Sequence, residues 1–265
     1  MDVSKITNAR IIVVKVGTST LTYSSGFLNL RHIEGLVKCL SDLQNSGKRV
    51  VLVSSGAIGC GLGKIGLPRE ELTIEQKQAA AAVGQCELMD MYSRLFGTYG
   101  HTVGQLLLTR DVTDIPHRRE HAENTLRVLL ELGCIPVINE NDTVSSEEIM
   151  YGGNDTLAAT VATLCKADLL INLSHIDGFD DDNPKRNPKA KLIPYVTEIT
   201  PEFEAKAGGA GTKRGTGGMA AKVKAAKMCT KNGIPMVIAN GGKPDILYDI
   251  MDGNFVGTLF DSVKE

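Results

Sequence analysis

Short β-branched apolar runs alternate along this chain with longer segments whose apolar residues recur every three to four positions, and a turn cluster separates the two. Such alternation predicts an α/β protein in which helices cover both faces of an open, mainly parallel sheet, an αβα sandwich. The predicted strands are 11–16, 50–53, 105–108, 135–138, 169–173, 236–239 and 256–260. The predicted helices are 29–45, 74–96, 118–132, 155–165, 219–231 and 245–251.

The segment 177–196 interrupts this alternation. A run of three aspartates and Pro184 forms a turn, and a second apolar run follows at 191–196. We interpret the segment as a hairpin-like excursion at the edge of the sheet.

Size and composition exclude several classes of protein. The 265 residues show no sharp compositional boundary, so one domain with two closely joined lobes is expected. The 29 Lys and Arg against 31 Asp and Glu leave no basic excess for a nucleic-acid backbone. The six cysteines form no C-x-x-C pair and are expected to be reduced. The longest apolar runs, 11–14 and 79–83, are too short for a bilayer, which favours a cytoplasmic protein without a membrane partner.

Two familiar signatures fit poorly. A G-x-G-x-x-G pattern ending at Gly66 runs into Pro68 rather than directly into a helix, which disfavours a dinucleotide site, and no segment fits the P-loop pattern. His117 and His121 match H-x-x-E-H, but they lie at the polar start of a helix. A solvated helix face is the favoured interpretation, and a zinc hydrolase is the alternative.

Two loops follow predicted strands at the positions where open parallel sheets bind ligands. Lys15 precedes Gly17 directly after the first strand and could offer its ammonium group to an anion. Residues 54–59 form a small-residue turn whose backbone N–H groups suit a carboxylate or a phosphate. A surface lysine and an ordinary capped turn are the simpler alternatives.

Two further segments carry polar groups. Enough amide and carboxylate groups to bind a substrate with both an amine and a carboxylate occur in residues 139–142 and 152–155. The simpler alternative is that Asn154 or Asp155 caps a helix. Glycines at 215–218 lead into a helix that contains Lys222, an arrangement typical of a phosphate cradle. A mobile glycine loop is the alternative there.

These motifs, in this order and spacing, closely resemble the amino acid kinase family, in particular its members that phosphorylate glutamate. The resemblance spans nearly the whole chain. Its motifs are KVGTS at 15–19, SGAI at 55–58, GQLLLTR at 104–110, NEND at 139–142, GND at 153–155, GTGGM at 215–219 and GTLF at 257–260.

The resemblance implies ATP-dependent phosphorylation of the γ-carboxylate of L-glutamate, the first step toward proline, with Mg²⁺ accompanying the nucleotide. It also implies a homo-oligomer and feedback inhibition by proline. Glutamate would bind in an N-terminal lobe of about residues 1–170, and ATP in a C-terminal lobe of about 171–265. No RNA-binding-like domain is expected after Glu265.

The resemblance also implies a role for particular residues. Lys15 and Lys222 would stabilise the transferring phosphoryl group, and Asp155 would orient both lysines. The residues expected to bind glutamate are Ser55, Gly56, Ala57, Asp142 and Asn154. The residues expected to bind ATP are Lys15, Ser174, His175, Thr216, Gly217, Gly218, Met219 and Lys222.

Two positions depart from the family pattern. Gly153 stands where many bacterial members have an aspartate, and Ser174-His175 stands where relatives often have Thr-Asp. Two alternatives to the glutamate kinase stay open. One is a relative acting on N-acetylglutamate, aspartate, carbamate or UMP, and the other is a catalytically silent sensor of glutamate or proline.

Overall fold

The computed structural model describes residues 3–23, 25–68, 70–145, 154–182, 187–208 and 218–261. Within these ranges, eight strands form one sheet in the order β3-β4-β2-β1-β5-β7-β8-β6. All pairs are parallel except β7 with β8. The strands are β1 (Ile11–Val16), β2 (Arg49–Val53), β3 (Val103–Leu108), β4 (Ile135–Glu140), β5 (Leu169–Ser174), β6 (Tyr195–Val196), β7 (Met236–Asn240) and β8 (Gly257–Phe260).

One helix precedes the first strand, and the other described helices lie between successive strands. In the described ranges, none of them combines the length and apolar character that a bilayer span requires. They are α1 (Ser4–Thr7), α2 (Thr18–Leu21), α3 (Leu30–Asn45), α4 (Ala57–Ile65), α5 (Ile74–Thr98), α6 (Asp111–Asp114), α7 (Pro116–Glu131), α8 (Asp155–Leu164), α9 (Pro201–Gly208), α10 (Met219–Lys231) and α11 (Ile246–Met251).

The core consists of two apolar layers, one on each face of the sheet. On one face, α3, α5 and α11 pack against alternate strand residues such as Val14. On the other face, α7, α8 and α10 pack against the intervening residues such as Val13. The chain is therefore an αβα sandwich, as the alternation of apolar segments predicts.

Helix α4 is the main element that the sequence did not predict. Its nine residues include three glycines, which lower helix propensity, and its start overlaps the turn that the sequence predicts at 54–59. Tight packing explains both the glycines and the helix. A Cβ atom at Gly61 would lie 1.8 Å from the Ala80 carbonyl oxygen, and one at Gly84 would lie 1.8 Å from the Ala57 carbonyl oxygen. Glycine is therefore required where α4 and α5 meet.

The excursion predicted at 177–196 lies at the edge of the sheet. Asp180 and Leu192 form an antiparallel bridge, and β6 then pairs in parallel with β8. Residues 183–186, between Asp180 and Leu192 in the sequence, lie outside the described ranges.

Candidate active site

The loops that the sequence singles out leave the sheet at one edge. β1 pairs with β2 on one side and with β5 on the other, and β4 pairs with β2. Because these pairs are parallel, their carboxyl ends lie side by side, which is where open α/β sheets bind ligands. Residues that are far apart in sequence meet along this edge.

Asp155 lies at the centre of the site as the first residue of α8. It is fully buried, and Lys15 Nζ lies 2.7 Å from its Oδ1 atom. Lys222, the fourth residue of α10, donates to its Oδ2 atom over 2.9 Å. Lys15 is 5% exposed and Lys222 is 4% exposed. The three residues expected to be catalytic thus form one buried cluster around a single carboxylate.

The charges of this cluster favour an anionic ligand. Burial opposes ionisation of Asp155, but the two ammonium groups outweigh it and hold the pKa of this carboxyl below its ordinary value. Burial lowers the pKa of Lys222; the Asp155 charge opposes this shift and the Lys15 charge adds to it. Two formal positive charges against one negative charge leave a net positive site, which suits a transferring phosphoryl group.

Asn172 is a third partner of Asp155, and the sequence analysis missed it. The β1–β5 register places Asn172 beside Lys15, and its Nδ2 donates to Asp155 Oδ1 over 2.8 Å. Asn172 is fully buried, and its Oδ1 has no hydrogen-bond partner among the described residues. The available signal was an asparagine inside the apolar run LLINLS, since a buried amide needs a polar partner.

Asn154, next to Asp155, joins a separate buried network. Its Nδ2 donates to the Ser54 carbonyl and to Asn139 Oδ1, the latter over 2.6 Å. Asn139, near the end of β4, donates in turn to Gln85 Oε1 on α5 over 2.9 Å. Asn154 is the N-cap residue of α8, as one interpretation of the sequence expects, but in the described part of the chain its side chain makes no capping bond to the helix. Sequence reasoning missed Gln85, whose signal is a polar residue within the run AAAAVGQ.

Ser55, Gly56 and Ala57 connect β2 to α4 at the same edge. The Ser54 hydroxyl, just before them, lies 2.9 Å from the Tyr92 hydroxyl on α5. Gly56 has a φ of 94°, a left-handed conformation that favours glycine, and it turns the chain into α4. The first N–H groups of α4 are thereby presented to a ligand, and backbone N–H groups at a helix start can bind a carboxylate.

Asp142 lies half-buried in the turn after β4. Burial, with a smaller contribution from the Glu140 charge, raises the pKa of Asp142 to about 7. This carboxyl therefore gains and loses its proton near neutral pH. In its ionised form it can pair with an ammonium group.

The expected ATP-binding residues are described in part. Ser174 is buried at the end of β5, and His175 follows it in an exposed position. Gly218 and Met219 begin α10, one turn before Lys222. Outside the described residues lie Gly153, Thr216 and Gly217.

The histidine pair on α7 lies on an exposed helix face. The ring centroids of His117 and His121 are 6.4 Å apart, and both residues are exposed. Arg119 forms an ion pair with Glu123 over 2.8 Å on the same helix. Among the described residues, no group of three or more His, Cys, Asp or Glu could hold a metal ion.

Known proteins that are similar to this chain over nearly its whole length include two glutamate 5-kinases. A glutamate 5-kinase of Listeria innocua is 55% identical over 262 residues, covering 97% of this chain and 95% of that protein. A glutamate 5-kinase of Clostridium perfringens is 54% identical over 261 residues, covering 97% of each chain.

Solved structures share the fold at much lower sequence identity. An isopentenyl phosphate kinase superposes with a TM-score of 0.65 at 15% identity, over 95% of this chain and all of that one. UMP kinase from Ureaplasma parvum superposes with a TM-score of 0.64 at 15% identity, over 95% of this chain and 98% of that one. The family model described as the amino acid kinase family matches residues 10–240. The chain belongs to the amino acid kinase family.

Proposed function

We propose that this chain transfers the γ-phosphoryl group of ATP to the γ-carboxylate of L-glutamate, giving γ-glutamyl phosphate and ADP. The observation that carries the proposal is the buried Lys15–Asp155–Lys222 cluster at the carboxyl edge of the sheet. The choice of glutamate is supported by the glutamate 5-kinases that are 54–55% identical over nearly the whole chain.

The reaction needs no general base. A glutamate side-chain carboxyl has an ordinary pKa of about 4.3, so it is ionised at neutral pH. One carboxylate oxygen forms the new bond to the γ-phosphorus, while the bond from that phosphorus to the bridging oxygen of ADP breaks with its electron pair. No proton has to move.

The difficulty is electrostatic, because an anion attacks an anion. Lys15 and Lys222 supply positive charge where negative charge is redistributed during transfer. Asp155 contacts each ammonium group through a different oxygen, and this holds the two lysines on opposite sides of one carboxylate. Their positions are thus fixed before a substrate arrives, which is the arrangement that stabilises a transition state.

Glutamate would bind between the start of α4 and the turn after β4. Its carboxylates would accept hydrogen bonds from Ser55 and from the backbone of Gly56 and Ala57. Its ammonium group would pair with Asp142 and with the side-chain oxygen of Asn154. The order of Asn154 and Asp155 supports this arrangement, because the first contacts the β2–β4 side and the second contacts the lysines.

ATP would bind beside β5 and the start of α10, with Ser174, His175 and the segment 216–219 around it. This divides the substrates between an N-terminal and a C-terminal part of one continuous sheet. The oxygens of Asp155 contact Lys15, Lys222 and Asn172, so the proposed role of this carboxylate is to position the lysines. Mg²⁺ is therefore assigned to the nucleotide phosphates, whose charge it would partly neutralise when bound.

Two properties extend the proposal by similarity to glutamate kinases. Proline would inhibit the enzyme at or near the glutamate site, and the chain would assemble as a homo-oligomer. Inhibition that glutamate relieves competitively, and a mass above 28.4 kDa in solution, are the expected observations.

The proposal is tested by trapping the acyl phosphate. Mg-ATP is incubated with hydroxylamine and L-glutamate, and parallel reactions contain N-acetyl-L-glutamate or L-aspartate. We expect hydroxamate and ADP from glutamate alone, with suppression by proline. Hydroxamate from another acid would identify that acid as the substrate in place of glutamate. ATP binding without hydroxamate from any acid would favour a phosphate acceptor such as UMP, or a sensor without activity.

A further inference from the structure

Two backbone groups fix the orientation of the buried amides beside the glutamate site. The Ser54 carbonyl can only accept a hydrogen bond, so the atom of Asn154 that contacts it must be Nδ2. The Glu140 N–H can only donate, so the atom of Asn139 that accepts from it, over 2.9 Å, must be Oδ1. Neither amide can be reversed without placing like groups together.

This orientation decides what Asn154 offers to a ligand. One Nδ2 proton is directed at the Ser54 carbonyl and the other at Asn139 Oδ1. Both protons are thereby used. Oδ1 is then the atom that Asn154 can present to a substrate, and it can only accept. A substrate ammonium group is the matching donor.

Gln85 is the last member of this chain of amides. Once Asn139 Oδ1 faces Asn154 and Glu140, its Nδ2 must find an acceptor, and Gln85 Oε1 accepts from it over 2.9 Å. Gln85 is buried near the middle of α5, a helix of 25 residues. Buried amides of this kind keep their orientation only while each one is satisfied.

We propose that Gln85 is a positioning residue for substrate recognition, which acts through Asn139 to hold Asn154 with its oxygen toward the α-ammonium group of the substrate. The inference rests on the proposed function. Gln85 thereby contributes to selecting a substrate with a free amine, although it does not touch that substrate itself.

Removal of the acceptor at position 85 should weaken this recognition. Without Oε1, the Asn139 Nδ2 group is left buried and unpaired. The Asn139 side chain then shifts toward another partner, and its Oδ1 holds Asn154 less firmly. We expect the KM for glutamate to rise about tenfold, because the Asn154 oxygen is no longer held toward the ammonium group of the substrate. The kcat and the KM for ATP should stay within about threefold, because the Lys15–Asp155–Lys222 cluster is not part of this network.

The test compares Gln85→Met, which keeps the length of the side chain but has no acceptor, with Gln85→Glu, which keeps the acceptor. Each variant is assayed with glutamate and with glutarate, which lacks the ammonium group. Gln85→Met should lose about tenfold in kcat/KM for glutamate and less than about threefold for glutarate. Gln85→Glu should stay within about threefold of wild type for both acids. Gln85→Leu is the second apolar variant should Gln85→Met not fold.

Equal losses for glutamate and glutarate, or an unchanged KM for glutamate in the apolar variant, would overturn the inference. A Gln85→Glu variant as defective as Gln85→Met would also overturn it, because the residue would then act through packing. Failure of the proposed function is distinguishable, since the wild-type protein would then form no hydroxamate from glutamate at all.

Discussion

Asp155 shows how single residues define this site. Its carboxylate is buried with two ammonium groups and one amide as partners, so its charge is compensated where an isolated charge would be very unfavourable. Asn172 is the least satisfied of these partners, because its Oδ1 has no hydrogen-bond partner among the described residues. A buried oxygen without a hydrogen-bond partner lowers the stability of the fold, and such residues are typical of functional sites.

Asn172→Leu should therefore stabilise the protein. Leucine has nearly the same branched shape, suits the apolar strand β5 and removes the unpaired oxygen. This gain should exceed the loss of the hydrogen bond to Asp155, whose charge both lysines still compensate, so the free energy of unfolding should rise by about 1 kcal/mol. Asp155 keeps both lysine contacts, so kcat should fall by less than about tenfold. Urea denaturation and steady-state kinetics on the same preparation measure the two effects. A lowered unfolding free energy would contradict this account of Asn172.

Asp142 should make glutamate binding dependent on pH. Its pKa of about 7 means that the carboxyl is largely neutral at pH 6 and largely ionised at pH 8. Because only the ionised form pairs with the substrate ammonium group, the KM for glutamate should rise about tenfold from pH 8 to pH 6. Steady-state kinetics across this range measure the effect.

Asp142→Asn is the control for this titration. Its KM for glutamate should be high and nearly independent of pH. Folded Asp142 retains a proton up to pH 7 that the unfolded chain releases near pH 4, so this group makes the protein less stable as pH rises between these values. The asparagine variant should accordingly gain unfolding free energy over wild type at pH 8 and not at pH 4. A wild-type KM that does not change with pH would rule out this role for Asp142.

Among the elements, the contact between α4 and α5 sets the position of the turn at Ser55 and Gly56, which is proposed to bind glutamate. Gly84→Ala would place a Cβ atom 1.8 Å from the Ala57 carbonyl oxygen, so α4 would have to move. We expect a loss of roughly 1–3 kcal/mol in stability and a raised KM for glutamate, because the segment from Ser55 to Ala57 leads into α4.

Gly97→Ala on the same helix is the matched control. In the described structure no atom lies within 4 Å of a Cβ placed at Gly97, so alanine should stabilise α5 by up to about 1 kcal/mol. Thermal unfolding and glutamate kinetics on both variants provide the test. If Gly84→Ala were as stable and active as Gly97→Ala, the helix contact would have no role in shaping the site.

The elements also differ in how well the sequence predicts them. Strand β1 and helix α10 were predicted with the observed bounds, because their apolar periodicity is strong and local. Helix α4 was not predicted, because its stability comes from close packing against α5, which glycines permit and which local propensity does not report.

At the scale of the whole molecule, the parallel sheet brings together residues from distant parts of the chain. Lys15, Asp155 and Lys222 could be predicted because each stands near the end of a strand or the start of a helix, positions typical of ligand sites, and their motifs resemble one family. Asn172 and Gln85 could not, because their partners are set by strand register and helix packing. The sequence therefore identifies the charged residues of the cluster more readily than the buried amides that hold them and their neighbours in place.

If the buried cluster carries out phosphoryl transfer, loss of one ammonium group should slow the single-turnover formation of γ-glutamyl phosphate, and Lys222→Met makes this change. Asp155 stays paired with Lys15 and Asn172 in this variant, so it should fold. Lys224→Met, at an exposed position on the same helix, is the control. We predict a rate at least about a hundredfold lower for Lys222→Met, with a much smaller change in the Kd for ATP, and a wild-type rate for Lys224→Met. A near-normal rate in Lys222→Met, or a loss that weaker ATP binding fully accounts for, would contradict the account.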